Sequence, residues 1–317
     1  MILNYGYLRV TYNRVFNIMH RSTFLCLDCI RSFSILDSPK VRCNDLDGVI
    51  KKIKQLVLEG KDNLQFITDF DRTMTKSYSE TSFGILEHHP NFPESVKIET
   101  GKLVKKYLPI EVDPKFTVEE KIPLMVEWWE ASEECLKGLV LDYANFEAAV
   151  KSANMPFRED CDRMLKILNQ AGIPTLIFSA GIGDVIQCAV KLHSFDYANV
   201  HIVSNFLKFN GDVVDGFKGP MIHIFNKNEH AIEGTAYFKD VKYRKNVILM
   251  GDSLGDADMA EGVENAGVIL KIGFLSSKDL TLFLPQYLSK YDIVLLEDET
   301  MDIPLFLIDS IVKQNLP

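Results

Sequence analysis

Three short stretches of the chain concentrate residues suited to phosphate or metal chemistry. The first is Asp69-Phe70-Asp71-Arg72-Thr73. Carboxylates two positions apart project to one side of an extended segment. Asp-x-Asp also occurs in turns, calcium loops and sugar-nucleotide sites, so alone it names no reaction. The second is Ser179-Ala180-Gly181-Ile182-Gly183-Asp184, where a hydroxyl and two glycines would let backbone N–H groups approach an anion at a helix start. A strand-to-helix turn that needs glycine for its shape is the plain alternative. The third is Gly251-Asp252-Ser253-Leu254-Gly255-Asp256. It adds two carboxylates, which could otherwise serve only as helix caps.

The elements around these stretches decide whether they can meet. Short apolar, β-branched runs at 64–68, 175–178, 201–203, 247–250, 268–271 and 293–296 read as strands. Helix-length patterns at 158–170, 184–192, 256–262 and 278–288 lie between several of them. Such alternation implies an α/β fold, a doubly wound parallel sheet covered by helices, with ligands bound at the carboxyl ends of the strands. All three stretches directly follow a predicted strand, so the sheet would bring them to one edge. Carboxylates crowded there repel one another unless a cation intervenes, and a hard divalent ion with oxygen ligands, Mg²⁺, is the expected neutraliser.

Two regions interrupt the alternation. Residues 73–156 hold no comparable strand, and 118–139 reads as an amphipathic helix apart from Pro123, so this region is expected to be a mostly helical insertion. Residues 206–226 alternate around Asn210-Gly211, a type I′ hairpin signal.

Composition narrows the partners. The 317 residues carry 35 Lys and Arg against 44 Asp and Glu, a net charge of −9, which disfavours long nucleic acid. No apolar run approaches the roughly 18 residues that span a bilayer, so no membrane association is expected. Six Cys without a regular spacing fit a reducing, cytoplasmic setting rather than a disulfide framework. Cys26 and Cys29, with His20 and Cys43 nearby, are the one cluster with zinc-like spacing, although no second close pair follows. The first 27 residues contain three Arg and no acid. That bias fits an organelle-targeting segment, an extra helix or a disordered tail, and residues 1–45 are expected to be an N-terminal extension.

The strand-end stretches, in this order, resemble the haloacid dehalogenase superfamily of phosphohydrolases, whose motifs run Asp-x-Asp-x-Thr, Ser/Thr, Lys, then Gly-Asp-x-x-x-Asp. Lys227, in Phe225-Asn226-Lys227-Asn228, is the best match for the Lys. Longer strings, among them Ile110-Glu111-Val112-Asp113-Pro114, Met125-Val126-Glu127-Trp128-Trp129, Gly216-Phe217-Lys218-Gly219 and Tyr291-Asp292-Ile293-Val294-Leu295, closely resemble the cytosolic 5′-nucleotidase III family. Its members are pyrimidine 5′-nucleotidases and relatives specific for 7-methylguanosine phosphate. The stretch 76–95 departs from the pattern expected after the first motif.

The resemblance implies a catalytic core at 46–72 and 157–317, a helical cap at 73–156 that recognises substrate, and a monomer acting on a small nucleoside monophosphate. It implies Asp69 as nucleophile and Asp71 as general acid and base. Asp69, the backbone carbonyl of Asp71 and Asp252 are the implied ligands of Mg²⁺, with Asp256 in support. Ser179, the Ala180 backbone, Ser253 and Lys227 would hold the phosphoryl group. Glu111 and Ser132 would contact the nucleoside, and Trp129 would stack on the base, although core packing is the ordinary fate of Trp. The other readings are a phosphatase for another small phosphomonoester and a non-catalytic nucleotide-binding protein. The latter would need one of these positions broken, and none is.

Overall fold

A computed structural model describes residues 33–113, 115–228, 235–263, 266–276 and 280–315. A seven-stranded sheet runs in the order β1 (Val41–Arg42), β9 (Ile293–Leu296), β8 (Ile269–Leu275), β7 (Asn246–Gly251), β2 (Leu64–Thr68), β3 (Thr175–Ile182), β4 (Val200–Asn205). All neighbours are parallel except β1, which pairs antiparallel with β9. The whole of β2, β7 and β9 is buried, as expected of strands covered on both faces. Their side chains alternate between two cores. Phe66, Ile248, Met250, Ile293 and Leu295 face one, while Ile67, Val247, Leu249 and Val294 face the other.

Helices α1 (Leu46–Glu59), α6 (Cys161–Gln170), α7 (Gly183–Leu192) and α10 (Asp302–Lys313) cover the first face, and α8 (Ala236–Val241) and α9 (Leu280–Lys290) the second. All six predicted strands are present, so the doubly wound α/β architecture stands. Residues 33–45, placed by the sequence in an extension, add buried Phe33, Leu36 and Val41 and the edge strand β1. Cys26, Cys29 and His20 lie outside the described residues, and Cys43 is a half-buried free thiol. Among the described residues no helix is long and apolar enough to cross a membrane.

Between β2 and β3 lie α2 (Ser82–Leu86), α3 (Glu94–Val112), α4 (Val118–Leu136) and α5 (Phe146–Ser152). A capping box joins Thr117 and Glu120 at the start of α4. Helices α3 and α4 pair through Tyr107 stacked on Trp128 at 5.7 Å and a Lys106–Glu127 contact at 3.0 Å. Helices α2 and α5 instead pack on α7 of the sheet layer.

Three local expectations are corrected. The helix predicted to begin at 158 begins at Cys161, because Asp160 takes a left-handed backbone with φ +63°. The helix predicted over 256–262 is only a 3₁₀ turn, Asp256–Asp258. The 3₁₀ run stops at Asp258 and Gly262 at φ +99° closes the stretch, which leaves fewer than two turns, too short to repay nucleation. In the hairpin of β5 (Leu207–Asn210) and β6 (Val213–Phe217), Asn210 pairs with Val213, so Gly211-Asp212 forms the loop. Of those two only Gly211 has positive φ, the glycine-first pattern of a type II′ turn rather than the type I′ turn expected.

Candidate active site

Strand β2 lies between β3 and β7, with Thr68 level with Ile177 on one side and Met250 on the other. The chain after β2 goes to one side for β3 and β4 and returns to the other for β7. This is the switch point at which open α/β sheets form a crevice. Asp69 leaves β2 with its N–H still bonded to the Met250 carbonyl at 3.0 Å, so it opens directly beside the loop that carries Asp252.

The sheet brings the predicted carboxylates together. Oxygens of Asp69, Asp252 and Asp256 lie within 4.8 Å of one another. Lys227 Nζ donates to Asp69 at 2.7 Å and to Asp256 at 2.5 Å, and all three of these side chains are buried. Burial alone would pull the Lys227 ammonium down, but the Asp256 and Asp69 charges outweigh it and keep it protonated. Burial pushes the Asp69 carboxyl up; Lys227 opposes this, and the Asp256 and Asp71 charges add to it. Asp252 is raised by burial and by the charges of Asp69 and Asp256. One ammonium thus faces three carboxylates, and the surplus negative charge, presented only through hard oxygens, fits a divalent cation such as Mg²⁺.

Asp256 is an anchor as much as a charge. Its second oxygen accepts from the Ser253 N–H at 3.0 Å and from the Ser253 hydroxyl at 2.7 Å. The Ser253 side chain, expected on the substrate, is therefore committed to Asp256. The carbonyl of Asp252 accepts from the Tyr287 hydroxyl at 2.5 Å and that of Ser253 from Tyr291, two stacked rings, one in α9 and one just after it, that hold this loop. Gly273 is required here: a Cβ on it would lie 2.7 Å from the Tyr291 ring.

The side chain of Asp71 turns away from the cluster. Ser82 of α2 grips both of its oxygens, by N–H at 2.8 Å and by hydroxyl at 2.7 Å. The second loop is a bulged end of β3 rather than a free turn, its register shifting between Phe178 and Ile182. Within it Ser179 Oγ accepts from the Gly181 N–H at 3.0 Å, and the Ala180 carbonyl accepts from Asn205 at 2.8 Å. Asn205 also holds Ile222 through a donated and an accepted bond, both 2.8 Å, tying this loop to the segment leading to Lys227.

Glu111, half-buried near the end of α3, lines a cleft of about 580 Å³ together with Arg72, Lys121 and Asp252. Burial, then the Asp256 charge, pushes its carboxyl up to about 7 against the pull of Arg72, Lys121 and Lys227. The buried Lys121 donates to the Glu111 carbonyl at 2.7 Å. Ser132 is buried in α4 and donates to the Trp128 carbonyl at 2.9 Å. Trp129 is half-buried, edge-on to Phe83 at 6.3 Å and Phe217 at 5.9 Å, and is not among the residues lining that cleft.

Several supporting residues escaped the sequence. Ser82 carries no signal of its own. Arg158, buried, donates to the carbonyls of Arg72 and Thr73 and to that of Asp298, fixing the turn after Asp71. Asn205 did carry a signal, since it ends a strand at the active edge of the sheet.

The sequence profile of the pyrimidine 5′-nucleotidase (UMPH-1) family matches residues 67–312. The chain is 38% identical over 293 residues to a 7-methylguanosine phosphate-specific 5′-nucleotidase of Drosophila melanogaster, covering 90% of this chain and 92% of the relative. Identity to the Homo sapiens protein of the same description is 38% over 281 residues, covering 87% and 91%. A crystal structure of cytosolic 5′-nucleotidase IIIB bound to cytidine superposes with a TM-score of 0.84 at 38% identity, over 90% of this chain and 97% of that one. A HAD family hydrolase of Salmonella enterica, 17% identical with a TM-score of 0.50 over 82% of this chain and 80% of its own, shares the fold. With profile, relatives and fold in agreement over most of its length, the chain belongs to the pyrimidine 5′-nucleotidase family.

Proposed function

We propose that the protein hydrolyses nucleoside 5′-monophosphates, 7-methyl-GMP and the pyrimidine nucleotides CMP and UMP, to nucleoside and phosphate through a phosphoaspartate on Asp69. The observation that carries this is the Asp69–Lys227–Asp256 arrangement at the sheet's switch point, with Asp252 beside it and a second carboxylate, Asp71, held apart from it. Asp69 Oδ attacks phosphorus, and the P–O5′ bond breaks as Asp71 gives its proton to O5′. Asp71 then takes a proton from the water that attacks the phosphoaspartate, and Asp69 leaves. Lys227, the Ser179 hydroxyl and the backbone around Ala180 hold the phosphoryl oxygens.

Asp69, the Asp71 carbonyl and Asp252 would hold Mg²⁺, with Asp256 orienting Lys227 and the loop. When bound, the ion neutralises phosphoryl charge and offsets the repulsion among the carboxylates. Glu111 supplies an acceptor for the amino edge of a base, and Trp129 an aromatic face. The test is phosphate release from CMP, UMP, 7-methyl-GMP and GMP, with Mg²⁺ and with EDTA, alongside sugar and amino-acid phosphates. Equal rates on the non-nucleotide esters would replace the nucleotidase reading with a general phosphomonoesterase, and full activity after metal removal would remove the cation from it.

A further inference from the structure

Asp71 has to do opposite things in succession, giving a proton and then taking one, from a single location. The residue that fixes that location comes neither from its own loop nor from the other two strand-end loops. Ser82 lies 11 positions on, in the segment between β2 and β3, and is buried. Its N–H reaches Asp71 Oδ1 at 2.8 Å and its hydroxyl reaches Oδ2 at 2.7 Å. The Ile182 N–H donates to the same Ser82 oxygen at 3.1 Å. With that acceptor position taken, the one hydroxyl proton is committed to Asp71.

The space around the grip is equally closed. A Cβ on Gly181 would lie 1.9 Å from Ser82 Oγ and 2.9 Å from Asp71 Oδ2, so the second loop approaches the pair only because it has glycine there. Each Asp71 oxygen then has one lone pair engaged by Ser82 and, among the described residues, another left open.

We propose that Ser82 is the positioning residue for Asp71, fixing which oxygen lone pair meets the leaving group in the first step and the attacking water in the second. In the first step the Asp69 O–P bond forms, the P–O5′ bond breaks and the Asp71 proton goes to O5′. In the second the water O–P bond forms, the Asp69 O–P bond breaks and a water proton returns to Asp71. Ser82 itself exchanges no proton with substrate. The inference rests on the phosphoaspartate reading above.

The experiment compares wild type, Ser82→Ala and Ser82→Cys on CMP and on p-nitrophenyl phosphate by rapid quench, with circular dichroism as the check of folding. Nitrophenolate leaves without protonation, whereas the nucleoside 5′-oxygen needs a proton. Ser82→Ala should therefore lose turnover of CMP by about 10- to 100-fold with KM little changed, within the range for general acid–base catalysis. On p-nitrophenyl phosphate its first turnover should stay within about twofold of wild type. One equivalent of nitrophenolate per site should appear as a burst, followed by a slow steady state in which covalent phosphate accumulates on the protein. Ser82→Cys, similar in size and with a weaker donor, should fall between, and it carries the test if the alanine variant does not fold.

Loss of the first turnover in equal measure for both esters, or near-wild-type turnover of CMP, would overturn the assignment of Ser82. Absence of base-labile phosphate on quenched wild-type protein would instead overturn the phosphoaspartate reading and this inference with it.

Discussion

At the proposed phosphate end of the site Asp71 is gripped at both oxygens, Asp256 at both, Asp69 is bound by Lys227, and the Asp252 carbonyl is held by Tyr287. At the other end, among the described residues, the Glu111 carboxylate takes no hydrogen bond, and its backbone is held by Lys121. Leu108, Val112, Phe116 and Val118, which also line the cleft there, are exposed. The first end is finished before substrate arrives, as electrostatic stabilisation of a transition state requires. The second leaves its polar and apolar groups open for a base to complete. Substitutions at the phosphate end should therefore act on every substrate alike, and those at the other end should act according to the base.

The strongest break of that contrast is Asp69→Asn. Asn keeps the shape but cannot form the phosphoaspartate, so kcat should fall by several orders of magnitude on CMP, UMP and 7-methyl-GMP by the same factor. Steady-state kinetics on the three nucleotides checks it, and a base-dependent loss would contradict the division.

Trp129→Tyr tests the other end. Its ring sits edge-on to Phe83 and Phe217, as a core residue would, yet it remains half-exposed. N7-methylation makes guanine cationic, and an indole face attracts a cation better than a phenol ring does. If a face is open to the base, the kcat/KM ratio of 7-methyl-GMP to CMP should fall about fivefold, roughly 1 kcal/mol. An unchanged ratio places Trp129 wholly in the packing of α4.

How far this contrast could be seen beforehand follows the same division. The strand-end loops were legible because their chemistry demands particular residue types at the ends of apolar runs, and the switch-point topology does the rest. Lys227 was legible only through resemblance, since an isolated Lys is ordinarily a surface residue. Ser82 was not, because its role depends on Ile182, 100 positions away, reaching the same hydroxyl. The helix start at 158 and the helix type and length over 256–262 were misread for related reasons. Arg158 is drawn onto the carbonyls of Arg72 and Thr73, and Asp256 onto Ser253 and Lys227, by tertiary contacts that local patterning does not contain.

A subtler contrast is in pH. The Glu111 carboxyl is raised from 4.5 to about 7, first by burial and then by the Asp256 charge. The folded state therefore holds this proton more tightly than the unfolded chain does. The corresponding stability is complete below the unfolded value and is lost as pH rises through 7. Glu111→Gln cannot ionise, so the Tm of the variant relative to wild type should rise between about pH 5 and pH 8. Thermal melts at both pH values check the sign, and a difference that is flat or falls with pH would show that Glu111 is solvated in the free protein.

The smallest expected effect falls on the loop between the two ends. Arg72 lines the cleft with φ +61°, in the left-handed region that disfavours a side chain by roughly 1–2 kcal/mol. Its backbone is nonetheless held there, its N–H donating to Thr75 Oγ1 at 2.7 Å and its carbonyl accepting from Arg158 at 2.5 Å, and neither bond needs the guanidinium. Arg72→Gly would relieve the strain and keep both bonds. The added freedom of glycine in the unfolded chain takes back about 0.5–1 kcal/mol. The net change should be a stabilisation of roughly 0.5 kcal/mol, about 1–2 °C in Tm. A lower Tm by scanning calorimetry would mean that the Arg72 side chain itself holds the folded state, through attraction to the neighbouring Asp71, Asp252 and Glu111 charges that exceeds the backbone strain.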